Sequence, residues 1–164
     1  MPQTVALVTN VTQYAGPAGA TALAADGFRT VCHDHTFTDF AVRDAFAAEN
    51  PALMPIAEQE PEAMLAAHGH VDVVLSNDYV PPEALGEFNI QLNAIGPNWF
   101  ENPTYFPPGL WERDADLRAL VAQEVPLQRL GQEHEMGALI AFLASGRATP
   151  VTGQFFGFTG GWLP

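Results

Sequence analysis

The chain has no lysine at all, so lysine nucleophiles, lysine general bases and Schiff-base chemistry are excluded. Cationic charge rests on six arginines, Arg29, Arg43, Arg113, Arg118, Arg129 and Arg147, against 19 acidic residues, for a net charge of −13. Such a surface repels phosphate backbones and anionic headgroups, so neither nucleic acid nor a membrane is an expected partner. Cysteine is nearly absent: Cys32 stands alone in an apolar run, which excludes an internal disulfide and predicts a buried, inert thiol. No apolar run approaches the roughly 20 residues of a membrane span. The N-terminus enters a strand without a leader pattern, so a cytoplasmic, reducing setting is expected. Repeats, low-complexity tracts and linkers are also missing, and 1–164 reads as one domain.

What is present alternates strand and helix. Residues 4–9 read as a strand, 17–26 as a helix with Pro17 at its start and Gly27 as its stop, and 28–33 as a second strand. Helical character follows over 39–49 and 61–67, interrupted by Pro51 and Pro55. Residues 71–76 (VDVVLS) are a continuous apolar run, the pattern of a strand buried on both faces. Then come a strand at 90–95, helices at 114–124 and 134–145, and a last strand at 154–158. Met136, Leu139, Ile140 and Leu143 make one buried stripe on the last helix, which Gly146 closes. This order predicts an α/β protein, with a parallel sheet between helices and right-handed crossovers. The stretch from Asn77 to Phe88 is barely long enough for one crossover.

The turn after the first strand is Thr9-Asn10-Val11-Thr12-Gln13-Tyr14-Ala15-Gly16. A dinucleotide-binding turn has three glycines here, so that the backbone approaches a pyrophosphate on the helix N-terminus. Asn10 and Tyr14 hold two of those positions and only Gly16 survives. A tyrosine ring in the coenzyme's place points to a pocket for something smaller, and no cofactor is expected.

Six segments in order resemble the short-chain dehydrogenase/reductase superfamily. They are Thr9–Gly16, Ser76-Asn77-Asp78, Asn93–Asn98, Val125–Gly131, the helix through Phe142–Ser145, and Thr152-Gly153-Gln154 with Thr159-Gly160-Gly161. Within it the chain resembles the halohydrin dehalogenases of the A type. Leu7–Val11, Cys32–Asp34, Glu58–Pro61, Ser76–Tyr79 and above all Ile95–Pro107 carry this likeness.

The resemblance implies a Rossmann-type doubly wound parallel sheet and cofactor-independent lysis of vicinal haloalcohols to epoxides and halide. In that family a tyrosine removes the substrate proton, a serine holds the oxygen and an arginine tunes the tyrosine. The halide rests on the loop after the strand at 90–95, here Pro97, Asn98, Trp99 and Phe100, facing Tyr14. Backbone N–H groups in such a loop make an anion nest. Asn10, Tyr79, Tyr105 and Phe106 would line the substrate pocket, with Tyr105 and Phe106 in a lid. Asp78 sits where the family has a proton-path carboxylate; an Asx-turn acceptor at a strand end is the alternative. The implied partners are a small haloalcohol or epoxide, a halide ion and other copies of the chain, as a homotetramer.

One part of the pattern is missing. The family's Tyr-x-x-x-Arg motif needs a tyrosine with arginine four residues on, but Tyr14, Tyr79 and Tyr105 are followed there by Ala18, Glu83 and Gly109. The only serines are Ser76 and Ser145, and neither precedes a tyrosine suitably. The family pattern breaks off near Pro82 and resumes at Glu83–Phe88, so a central strand and two helices are expected to be lacking between about residues 80 and 88. That is on the order of 60–80 residues. Either the catalytic segment lies outside these 164 residues, or the chain is a non-catalytic relative that binds an anion or serves as a scaffold. A nicotinamide-dependent reductase is the other reading, opposed by Asn10 and Tyr14.

Histidines suggest less. His33 and His35 at i, i+2 would share a strand face but lack a third metal ligand. His68-Gly69-His70 reads as a helix end, and His134-Glu135 opens a helix without a second histidine. Phe155, Phe156 and Phe158, with Trp162, read as core or subunit interface.

Overall fold

β-Branched and apolar residues after a short polar start set the first strand, β1 (Val5–Val8), which is buried along its whole length in the computed structural model. The structure describes residues 4–57, 71–76 and 91–163. They fall into two compact units, Met1–Tyr79 and Val80–Pro164.

In the first unit β1 leads through the glycine-poor turn into α1 (Gly16–Ala25), with Pro17 in its first turn. Gly27 follows at φ +90°, as a helix stop requires. The unit continues through β2 (Arg29–His33), a 3₁₀ turn (His35–Thr38), α2 (Phe40–Glu49), β3 (Leu53–Ile56) and β4 (Val73–Leu75). All pairings are parallel, in the order β3-β2-β1-β4. Val5, Leu7 and Val31 form the core, flanked by Ile56 and Val71. The expected α/β parallel architecture is present.

Two expectations are corrected here. Pro51 and Pro55 do not merely interrupt helices, because Leu53–Ile56 is a strand. It lies at the edge of the sheet with Cys32 opposite Pro55, and an edge strand tolerates a residue without an N–H. Residues 71–76 are not buried on both faces. Val74 is 56% exposed, since β4 is the other edge of the sheet among the described residues.

In the second unit β5 (Ala94–Pro97) pairs in parallel with β6 (Phe155–Phe158). Between them lie α3 (Leu110–Arg113), α4 (Ala115–Glu124) and α5 (Glu133–Ala144). α5 buries Met136, Gly137, Ile140 and Ala141, while Leu139 and Leu143 are half-buried. Gly146 ends it at φ +69°. Val121, Val125 and Leu130 form the core, packed by Trp99, Phe106, Trp111, Leu117 and Trp162.

β5 starts later than its sequence suggests. Asn93 is drawn out of the ladder: its Nδ2 donates to Val151 O (2.8 Å) and its Oδ1 accepts from Gln154 N (3.1 Å). The family motifs at 93–98 and 152–154 are therefore two sides of one clamp, completed by Gly153 N to Leu92 O (2.7 Å). Residues 77–90, where a strand and two helices are expected to be lacking, lie outside the described residues, as do Glu58-Gln59-Glu60 and His68-Gly69-His70.

Candidate halide site and its supports

Where strand order reverses in a doubly wound sheet, ligands bind beyond the carboxyl ends of the strands. In the first unit that point is the boundary of β1 and β4. Thr9 N donates to Leu75 O (3.0 Å), and Thr9 Oγ1 lies 3.3 Å from Ser76 Oγ. The turn that follows has kept the backbone of a glycine fingerprint without two of its three glycines. Asn10 has φ +49° and Tyr14 φ +47°, the left-handed region that side chains disfavour. Gly16 cannot be exchanged so easily. A Cβ there would stand 2.7 Å from Val11 O and 2.8 Å from Asn10 O.

Asp34, just past β2, pins this turn from behind. Its side chain is fully buried. Oδ2 accepts from Thr12 Oγ1 (2.6 Å) and Thr12 N (3.3 Å), while Oδ1 accepts from Thr36 Oγ1 (2.8 Å) and Thr36 N (3.1 Å). Burial pushes its carboxyl up, but the threonine hydroxyls and amides outweigh this and hold it below the usual carboxylate range. Cys32 is buried as expected, and burial pushes its thiol up to about 12. The histidine pair does not share a strand face: β2 ends at His33, which is buried, and His35 opens the 3₁₀ turn, exposed. Among the described residues no His, Cys, Asp or Glu group is placed to hold a metal.

In the second unit the candidate bend continues β5. Asn98 N donates to Phe158 O (3.0 Å) at the end of the ladder. Trp99 has φ +55°, and its N–H donates to Asn98 Oδ1 (2.9 Å). Gly131 holds the bend from behind, donating to Trp99 O (2.9 Å) and accepting from Glu101 N (2.8 Å). Gly131 is itself fixed by a charged strut: Arg129 bonds both oxygens of Glu135 (2.7 and 2.8 Å), and Glu135 Oε2 accepts from Gln132 N (2.8 Å). The Arg129 guanidinium, then the Gln132 amide, hold the Glu135 carboxyl at about 2. Burial, then the nearby Glu101 carboxylate, raise that of Glu133.

Beyond the bend, Asn102 is buried and organises a tight loop. Its Oδ1 accepts from Thr104 N (3.0 Å) and Tyr105 N (2.9 Å), and its Nδ2 donates to Phe100 O (2.7 Å). Tyr105 is 61% exposed, whereas the Phe106 ring lies 5.7 Å from that of Trp99. Phe100 meets Phe158 edge to face at 5.9 Å. Of the expected anion nest, Pro97 has no N–H and the Asn98 and Trp99 amides are taken within the chain. Asp34, Asn102 and Gly131 stand in the family-like segments of the sequence, which do not announce their roles as supports. An Asp two residues before Thr, and an Asn two before Thr-Tyr, are turn signals that would have found the first two. Asp78 and Tyr79 lie outside the described residues.

The profile of the enoyl-(acyl carrier protein) reductase family, of short-chain dehydrogenase type, matches residues 82–162. A 3-oxoacyl-[acyl-carrier-protein] reductase from Thermotoga maritima is 37% identical over 73 residues, 44% of this chain and 28% of that protein. The match thus spans little more than a quarter of the relative. Among solved structures, a halohydrin dehalogenase bound to ethyl (2S)-oxiran-2-ylacetate is 28% identical, with TM-score 0.89 over 98% of both chains. The chain thus resembles the halohydrin dehalogenases, on a short-chain dehydrogenase/reductase fold. A second structure, a dehalogenation enzyme, is 25% identical with TM-score 0.87 over 98% of both chains.

In a halohydrin dehalogenase-like chain the first turn does not fit a nicotinamide dinucleotide. Asn10 and Tyr14 put side chains where two glycines let a pyrophosphate approach. Asp34, at the place of the ribose-reading acid, has both oxygens engaged by Thr12 and Thr36.

Proposed function

We propose that this chain is the halide- and substrate-holding part of a cofactor-independent carbon–halogen lyase. The reaction converts a vicinal haloalcohol to an epoxide and halide, and runs in reverse when a small anion opens an epoxide. What supports this best is the likeness to a halohydrin dehalogenase over 98% of both chains, joined to an aromatic residue at a glycine position of the first turn.

In the forward direction a base takes the hydroxyl proton. The alkoxide oxygen bonds to the neighbouring carbon, and the carbon–halogen bond breaks with its electron pair leaving on the halide. Donors already aimed at the departing anion lower the barrier, and aromatic walls strengthen them by excluding water. The residues assigned to the halide are Tyr14, Pro97, Asn98, Trp99 and Phe100. Asn10, Tyr79, Tyr105 and Phe106 are assigned to the substrate and Asp78 to the proton path. The proposal includes one domain over 1–164, a homo-oligomer and a cytoplasmic setting.

The base is not among these 164 residues, since no tyrosine is followed by arginine four positions on. The 164-residue chain is therefore proposed to bind halide without turnover. Turnover belongs to a form that carries the serine–tyrosine–arginine set. A reductase reading draws on the 37% identity to the Thermotoga maritima enzyme, and Asn10, Tyr14 and the engaged Asp34 oppose it.

Intact mass combined with a halide-release assay on a small bromohydrin tests the proposal. A chain of 17.7 kDa is expected to bind bromide and release none from the bromohydrin. A form carrying the full catalytic set is expected to release it. No release from that form, or binding of NADPH in place of halide, overturns the lyase reading.

A further inference from the structure

Two partly exposed side chains hold the bend after β5 by way of one glycine. Gly131 N donates to Trp99 O (2.9 Å) and Gly131 O accepts from Glu101 N (2.8 Å), a parallel bridge centred on Phe100. Gly131 thus grips the residues on either side of Phe100, and in such a ladder the middle residue turns its N–H to the opposite side. Of the four amides from Asn98 to Glu101, three donate within the chain, to Phe158 O, Asn98 Oδ1 and Gly131 O. The fourth is the Phe100 N–H, which meets no acceptor among the described residues.

Gly131 has no side chain with which to anchor itself, and a Cβ there would stand 2.7 Å from Phe158 Cε1. Its neighbours are anchored instead. Arg129 spans both oxygens of Glu135 (2.7 and 2.8 Å), and its Nη1 also donates to Leu130 O (3.0 Å). Glu135 Oε2 accepts from Gln132 N (2.8 Å). One ion pair therefore ties the residue before Gly131 by its carbonyl and the residue after it by its amide. Helix capping explains part of this, since Glu135 meets the Gln132 amide at the start of α5. It does not explain Arg129, whose fork joins the Leu130 carbonyl to the same carboxylate. A bidentate guanidinium–carboxylate pair fixes direction as well as distance.

We propose that Arg129 and Glu135 are positioning residues: the pair holds Gly131 in register with the bend and so aims the Phe100 N–H. The inference rests on the reading of this bend as ligand-holding and adds to it two side chains that the reading leaves out. They are 48% and 33% exposed, so the effect to expect is that of a surface pair and not of a buried one.

The test is amide hydrogen exchange of the full 164-residue chain, together with bromide titration, in the parent, R129A, E135A and the double variant. R129A is expected to speed exchange at the Glu101 and Gly131 amides about fivefold and to weaken bromide binding by a similar factor, the scale of an exposed ion pair. The core amides of Val121 and Val125 should keep their rates. In the E135A background R129A should add little, because the pair is already gone. R129K keeps the charge and loses the fork, and should behave as R129A does. Unchanged exchange at Glu101 in R129A overturns the inference. So does exchange that rises equally at Val121 and Val125, the mark of a general loss of stability, and so does an R129A effect of the same size with and without Glu135. A parent that binds no bromide overturns the halide reading alone, because exchange at Glu101 decides the brace without a ligand.

Discussion

Thr12 Oγ1 donates to Asp34 Oδ2 at 2.6 Å, tying the first turn of the sheet to the end of β2. With the three other bonds from Thr12 and Thr36, the two carboxylate oxygens are fully engaged within the chain. The acid that a dinucleotide fold spends on its ligand is here spent on the fold.

Removing that carboxylate should therefore destabilise the protein rather than change ligand preference. D34A strips acceptors from two hydroxyls and two amides and is expected to cost about 3 kcal/mol. Urea unfolding gives the value; a change below about 0.5 kcal/mol refutes the clamp.

Acid should weaken the protein through two depressed carboxyls. Asp34 and Glu135 both titrate lower when folded, so the stability they add is present above the ordinary carboxylate range and is lost as pH falls. For Glu135 the loss runs from the ordinary 4.5 down to about 2. Glu133 acts in the opposite sense: its raised value means that protonation relieves a cost as pH falls. Urea midpoints measured against pH should drop in acid, less steeply for E135Q, while E133Q should be more stable than the parent at pH 7.

At the first turn the surviving glycine position and a lost one should respond oppositely. G16A drives a methyl to within 2.7 Å of Val11 O and should cost about 2 kcal/mol or more. Y14G relieves a φ of +47° and should leave thermal stability unchanged or raised by about 1 kcal/mol. A large loss in Y14G would mean that the ring is core rather than pocket wall.

Gly131 should prove sensitive for a steric reason. A Cβ there meets Phe158 Cε1 at 2.7 Å and Phe100 Cβ at 3.2 Å, and Phe158 already rests edge to face on Phe100. G131A is expected to cost about 1–3 kcal/mol by overpacking, and F158L should recover part of it. Thermal melts of the single and double variants measure both.

Much of the architecture was legible because the local signals were strong. Pro17 and Gly27 bracket α1, Gly146 closes α5, and of the expected stripe Met136 and Ile140 are buried while Leu139 and Leu143 are half-buried. What failed to read was set by neighbours. Proline in Leu53–Ile56 looks like a break until its place at a sheet edge is known. An apolar run at Val73–Leu75 cannot announce that, among the described residues, it lies at an edge with Val74 exposed. Asn93 looks like part of a strand, and long-range bonds to Val151 and Gln154 remove it. At the candidate site, Tyr14 and the Pro97–Phe100 bend stand out in the sequence, but the supports Asp34 and Gly131 act on partners 22 and about 30 residues away.

By itself the sequence determined the parallel α/β order, the loss of two glycines from the first turn, and the absence of a tyrosine–arginine pair, because each is a matter of residue type at short spacing. Only the tertiary structure decided that Asn10 and Tyr14 keep a left-handed backbone, that Asp34 is consumed by Thr12 and Thr36, and that the Trp99 indole N–H is buried with no acceptor among the described residues. Those outcomes depend on which groups meet across the chain, and spacing along one strand of sequence carries no record of that.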